Sequence, residues 1–243
     1  MTWTFVTVTY NSAETLKRYW SDGLPDGVEW IVVDNDSKDE SAAIASSLGA
    51  TKVISLQKNI GFGAANNVAL GMAESEFIAC VNPDVKVDFS DLPALERSLS
   101  EHGGLVAPQL VNDDGTLQPN GRGRPSVTNK VRGRLFPTAS KRYYLYAQSD
   151  EMLPVTWLTG AVVAARKETW DTLKGWDDLF FVYYEDSDLS LRARKAGFGV
   201  HVDGSVRWIH GWGRDTKAFS WTPWKLELDS ASKFYRRYPW LVL

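Results

Sequence analysis

Two short acidic stretches carry the residues best suited to chemistry. Asn82-Pro83-Asp84 follows the apolar run 77–81, and Glu185-Asp186-Ser187-Asp188 precedes a helical pattern over 189–196. A proline directly after a strand ends its hydrogen-bond ladder and fixes the turn. Asp84 would then stand at a strand end, where a carboxylate can bind a hard divalent cation. Mg²⁺ takes one or two protein carboxylates and completes its shell with phosphate and water. The same tripeptide also suits an ordinary surface turn. In the second stretch, acids in a first helical turn gain about 0.3–1 kcal/mol from the macrodipole, and that capping role is the expectation for Asp188. Glu185 and Asp186 differ because Phe180, Phe181, Tyr183 and Tyr184 precede them. Apolar walls desolvate a carboxylate and raise its pKa toward the working range of a general base.

Other polar residues fall at element ends. Gly61-Phe62-Gly63-Ala64-Ala65-Asn66-Asn67 marks a strand-to-helix junction. It matches neither the dinucleotide nor the P-loop spacing, so it suits either ligand contact, helped by Asn59 and Asn66, or close helix–strand packing. Of three histidines, His102 reads as a surface cap beside Gly103-Gly104 and His201 as structural. His210 ends a strand and enters Gly211-Trp212-Gly213-Arg214, where it suits either a metal ligand or a structural role. The adjacent glycines would let that loop close, with Arg214 or Lys217 near phosphate charge.

The elements that must position these groups alternate over the first hundred residues. Strands are expected at 3–9, 29–33, 52–56 and 77–81. Helices are expected after Ser12 as a cap, around Ala42–Leu48 up to Gly49, and at 61–73. Short apolar strands alternating with amphipathic helices indicate a parallel sheet covered on both faces. Such sheets bind ligands at the carboxyl ends of their strands, which lines up Thr9-Tyr10-Asn11, Asp34-Asn35-Asp36 and Asn82-Pro83-Asp84 on one rim. Residues 109–151 lack clear periodicity and are rich in Gly, Pro and Arg, reading as a long excursion or mobile segment. Beyond it come regular structure at 155–165, a helix at 167–173, two short strands at 200–202 and 206–209, and a helical pattern over 224–238.

Composition bounds the rest. The 243 residues, 44% hydrophobic with net charge -3, suit one globular domain and offer no overall polycation for nucleic acid. Cys80 is the single cysteine and sits in an apolar strand, as in a reducing cytoplasm. No apolar run reaches the roughly 18–20 residues of a membrane span, and no signal-peptide pattern opens the chain, so a soluble or peripheral protein is expected.

With VTVTYNS, VVDNDSKDES, NIGFGAANNVAL, FIACVNPDV and WLTGAVVAARKETWDTLKGWDDLFFVYYEDSDLSLRARKAGF in this order, the chain resembles glycosyltransferase family 2, in particular its bacterial rhamnosyltransferase-like members. The resemblance implies an α/β GT-A fold, a mostly parallel central sheet with helices on both faces. It divides one domain, 1–243, into a Rossmann-like nucleotide-sugar-binding half (1–108), a variable segment (109–152) and an acceptor and catalytic half (153–243). It implies an inverting transfer from a nucleoside-diphosphate sugar with Mg²⁺ or Mn²⁺. Tyr10, Asp34 and Asn35 match nucleoside-holding positions, and Gly160 and Ala161 a stretch near the donor sugar. Asn82-Pro83-Asp84 replaces the family's DXD motif, leaving Asp84 as metal ligand with His210. Asp186 matches the base, beside Glu185. Implied partners are dTDP-rhamnose or a UDP-sugar as donor and a glycan or polyprenyl-linked glycan as acceptor. The site is expected in the cytoplasm, with peripheral contact at the inner membrane face through the basic and aromatic segments KVRGRLF, KRYYLY and KFYRRYPWLVL. Ordinary surface charge over a packed C-terminal helix is the competing reading of those segments. Two other functions fit a similar sheet: a nucleotidyltransferase, for which the first strand lacks a basic signature loop, and a non-catalytic nucleotide-sugar-binding module.

Overall fold

A computed structural model describes residues 2–136, 142–211 and 221–242. The first four major strands are parallel: β1 (Trp3–Thr9), β2 (Val28–Asp34), β3 (Lys52–Ser55) and β4 (Phe77–Val81), in the order β3-β2-β1-β4. Helices α1 (Ala13–Tyr19), α2 (Ser41–Ser47) and α3 (Phe62–Leu70) connect them. The sheet continues through β5 (Val85–Lys86), β6 (Leu105–Val111), β9 (Met152–Pro154), β11 (Val162–Arg166) and β12 (Val200–His210). Strands β11, β5 and β9 run against the rest. A second sheet of three short strands, β10 (Trp157–Leu158), β7 (Gly121–Arg122) and β8 (Tyr144–Leu145), lies in and after the segment 109–151.

Side-chain alternation splits the core. Phe5, Trp30 and Phe77 pack on one face with Trp20 of the α1 C-terminus and with Leu95 and Leu99 of α4 (Leu92–His102). Their neighbours Val6, Ile31 and Ile78 pack on the other against α3, α6 (Lys167–Leu173) and α7 (Glu185–Lys195). Each fully buried large side chain contributes about 1.5–3 kcal/mol, so the strand ends are held on a stiff platform. Cys80 belongs to the second face, and burial pushes its thiol up to about 12, leaving it an inert core residue.

Several local expectations need correction. Ser12 does not cap α1 with its side chain. Instead Asp39 accepts from the Ala13 N–H at 3.0 Å, and Ser41 Oγ from the Ser12 N–H at 2.7 Å, so the next loop supplies the partners. The strands expected at 200–202 and 206–209 form one strand, bulged between Asp203 and Arg207. Residues 109–151 contain the end of β6 and a helix, α5 (Val127–Leu135), whose Ser126 Oγ accepts from the Asn129 N–H at 3.2 Å. His102 lies within the last turn of α4, its ring 5.5 Å from that of His201. The last helix, α8 (Trp221–Arg237), packs Phe234 and the following Tyr238 against Phe180 and Tyr184 in a third apolar cluster.

Candidate active site

The β1, β2 and β4 ends open onto a cleft of about 730 Å³ lined by Tyr10, Asn35, Asn59, Gly61, Asn82 and Asp84, among others. Asn35 is its organiser. Its Nδ2 donates to Asn59 Oδ1 at 3.0 Å and to the Gly61 carbonyl at 3.3 Å, and its Oδ1 accepts from the Ile60 N–H at 2.9 Å. A neutral amide with its donors and acceptors committed holds the loop before α3 in one shape. Gly61 has φ +92°, and a Cβ there would meet the Phe181 carbonyl at 2.5 Å. The Phe62 N–H donates to that carbonyl at 2.8 Å, so the glycine brings the loop before α7 onto the cleft. Four expected residues line neither this cleft nor the compartment beside it: Asp186, and Thr9, Asp34 and Asn66, which stand behind the rim. Thr9 Oγ1 donates to Asp34 Oδ1 at 3.1 Å, and Asn66 Nδ2 bonds the Phe62 carbonyl of its own helix.

The cleft continues into a compartment of about 440 Å³ that shares Phe62, Asn82, Asp84 and Val182 and adds Arg122, Gly160, Glu185 and His210. Pairing of β5 with β12 sets Val85 opposite His210, which brings Asp84 Oδ2 within 3.4 Å of His210 Nε2. Gln118 orients the ring. Its Nε2 is committed to Asn112 Oδ1 at 2.8 Å and to the His210 carbonyl at 2.7 Å, so its Oε1, 2.7 Å from Nδ1, acts as acceptor. In the neutral imidazole the proton then sits on Nδ1 and the Nε2 lone pair faces the Asp84 carboxylate. Two acceptors facing each other fit a shared divalent cation. Among the described residues no cluster of three His, Cys, Asp or Glu side chains forms a fuller protein cage, which suits an ion completed by phosphate and water.

The acidic step at α7 is held differently. Tyr183 and Tyr184 have φ of +68° and +70°, a left-handed conformation unusual for bulky residues. It turns Glu185 and Asp186 inward at the helix start. Asp186 Oδ1 accepts from the Ser187 N–H at 2.6 Å, and Oδ2 from the Gly160 N–H at 3.3 Å. Among the described residues, the buried Glu185 Oε2 has no hydrogen-bond partner. Burial pushes both carboxyls above their ordinary values; the charge of Asp186 pushes Glu185 further, while Lys130 and the two backbone donors pull Asp186 down. Lys130 also pulls Glu185 down, so the two acids titrate as one buried pair held above the ordinary carboxylate range.

Residues 4–168 match the family described as Glycosyl transferase family 2. The chain belongs to glycosyltransferase family 2. It is similar to the Mycobacterium tuberculosis N-acetylglucosaminyl-diphospho-decaprenol L-rhamnosyltransferase, 26% identical over 237 residues that cover 86% of this chain and 77% of that protein. The Escherichia coli rhamnosyltransferase WbbL is 23% identical over 196 residues, covering 73% and 70%. Among solved structures, a mannosyltransferase from Pyrobaculum calidifontis, in complex with GDP-Man and Mn²⁺, superposes with a TM-score of 0.62 at 16% identity, over 99% of this chain and 72% of that one. The fold is that of the GT-A glycosyltransferases.

Sequence reasoning about this glycosyltransferase missed four residues. Gln118, Arg122 and Lys130 come from the segment without periodicity, and Arg237 from the far end of the chain. Arg122 lies over the Tyr144 ring at 4.6 Å in the inner compartment. Asp188 does lie in the first turn of α7, but it is fully buried and its partners among the described residues are side chains, not the helix-start N–H groups. It accepts from Arg192 Nε at 2.7 Å, an Arg237 guanidinium nitrogen at 2.8 Å and the Tyr238 hydroxyl at 2.7 Å, tying α7 to the chain around the end of α8. Phe181 and Tyr183 are exposed, so the apolar wall of the step is narrower than the run of aromatics suggests. Arg214 and Lys217 lie outside the described residues. Of the basic-aromatic segments, α5 exposes Val131 and Leu135, and the C-terminus exposes Trp240 and Val242. Lys233 is, however, paired with Asp229 one turn earlier, and Arg237 with Asp177 and Asp188. No described helix is long and apolar enough to cross a membrane.

Proposed function

We propose that this family 2 enzyme transfers a hexose, rhamnose foremost, with inversion from a nucleoside-diphosphate sugar to a hydroxyl of a glycan acceptor in cell-surface polysaccharide synthesis. The observation that carries the reading is the continuity of two unlike compartments. The asparagine-braced cleft suits a nucleoside, and the carboxylate step next to it suits a proton acceptor. In this reading Asp186 takes the acceptor hydroxyl's proton, and such transfer is worth about 10²–10⁴-fold. Residues 1–243 work as one unit in this reading, since residues from both halves line the same compartments.

Asp84 and His210 would hold Mg²⁺ or Mn²⁺, with Asn82 as a neutral neighbour; the bound ion would offset charge on the departing diphosphate. Tyr10, Asn35 and Asn59 would contact the nucleoside, with Thr9, Asp34 and Asn66 bracing them from behind. The name of the mycobacterial relative supports rhamnose as the sugar and a lipid-linked acceptor, reached by peripheral contact through the outer face of α5, and dTDP-rhamnose is the donor to test first. A second reading makes Glu185 the base, because its unpartnered oxygen belongs to the residue that lines the compartment with Asp84.

Thermal-shift measurements with dTDP-rhamnose, UDP-glucose and GDP-mannose, each with and without Mn²⁺, select the donor by mass action. Calorimetry of the matching nucleoside diphosphate then tests the metal. Wild type is expected to bind more tightly with Mn²⁺ and Asp84→Ala to lose that gain. A variant keeping the full gain removes Asp84 from the metal.

A further inference from the structure

We propose that Lys130 is a positioning residue that holds the Glu185–Asp186 pair in its singly ionised form when an acceptor arrives; this rests on reading that pair as the base. Helix α5 comes from the segment in which the sequence showed no periodic pattern, and it delivers Lys130 onto the ring of Tyr184, the residue before Glu185. The ammonium lies 3.4 Å from the centroid of the Tyr184 ring, 5.3 Å from that of Trp157 and 5.8 Å from that of Phe234. Ring faces attract a cation. Because Tyr184 immediately precedes Glu185 in its left-handed conformation, a cation on its ring is fixed relative to the helix start.

The charged and titratable groups around Lys130 come from each neighbouring element. Glu185 and Asp186 belong to α7, and Glu227 of α8 acts on it while also pairing with Arg134. Arg122 of β7 opposes it, and burial, with a smaller contribution from the charge of Asp186, raises the Tyr143 and Tyr184 hydroxyls. Arg122 shares the Trp157 ring with Lys130, at 5.9 Å, but a guanidinium keeps its proton throughout the working range. Lys130 is the adjustable cation: burial lowers it to about 8 against the pull of Asp186, Glu227 and Glu185. In its charged form it favours the Asp186 carboxylate, and removing that charge should let both acids hold their protons to higher pH.

Carboxyl ¹³C NMR of the whole protein, with Asp186→Asn and Glu185→Gln assigning the two signals, reads this directly and needs no donor. Lys130→Met is expected to move the midpoints of the pair upward by about one pH unit or more, while Lys130→Arg, which keeps the charge, does not raise them. Lys130→Gln supplies the neutral replacement if the methionine variant does not fold. Unchanged midpoints in a neutral variant with wild-type near-ultraviolet circular dichroism would overturn the proposal. With the donor chosen above, the acid limb of the transfer rate should move in step with the NMR midpoints. A lower rate with an unmoved limb would mark Lys130 as packing only. Failure of the base reading looks different: Asp186→Asn and Glu185→Gln would both transfer normally while the NMR shift remained.

Discussion

The asparagine-braced cleft and the carboxylate step are built by opposite means. The cleft is organised by neutral amides whose partners lie close in sequence: Asn35 braces residues 59–61, and nearly every polar atom involved is satisfied. The step is organised by charges withdrawn from water, set on consecutive left-handed tyrosines and supported by Lys130 from α5 and Arg237 from α8. A neutral network is stiff and costs little to bury, which suits repeated binding of one nucleotide. Buried charges are costly and tunable, which suits a group that must gain and lose a proton. The difference also predicts where substitutions hurt. Removing one member of a charge cluster leaves its partners uncompensated, whereas removing an amide loses only its own bonds.

The largest expected stability effect is therefore at Asp188. Asp188→Ala strands Arg192, Arg237 and Tyr238 and should cost about 3–5 kcal/mol, read as a lower urea midpoint at unchanged slope. A loss under about 1 kcal/mol would mean that the remaining carbonyl and Asp177 partners of the two arginines suffice. Asn35→Ala should cost less, about 1–2 kcal/mol in the same measurement, and weaken nucleoside diphosphate binding. If it proved the more damaging of the two, the contrast between the regions would be wrong.

That contrast also explains what the sequence could disclose. The strands at 3–9 and 77–81 and the helix at 167–173 are found where the pattern places them, because buried apolar runs and amphipathic periods are local signals. The rim of asparagines and Asp84 was legible for the same reason, since strand ends follow from strands. Helix α5 was not. Its sequence VTNKVRGRL interrupts any apolar stripe and includes Gly133, where a Cβ would press against the Tyr143 ring at 3.0 Å. The bulge in β12 was hidden likewise, since Gly204 is required by the Gln148 carbonyl, a neighbour distant in sequence. Asp188 reads locally as a helix-start acid, and only the folded chain brings Arg237 and Tyr238 to it. Lys130 and Gln118 share that property: both act across long sequence separations, where no short motif can announce them.

The central claim is that Asp186, not Glu185, takes the acceptor's proton. It is tested most directly by comparing transfer by Asp186→Asn and Glu185→Gln with the donor selected by thermal shift, Mn²⁺ present, and donor affinity measured alongside. The account predicts that Asp186→Asn loses at least about 10²-fold in transfer while binding donor within a few-fold of wild type, and that Glu185→Gln retains substantial activity. Near-normal transfer by Asp186→Asn with an inactive Glu185→Gln would contradict it and move the base to the neighbouring acid.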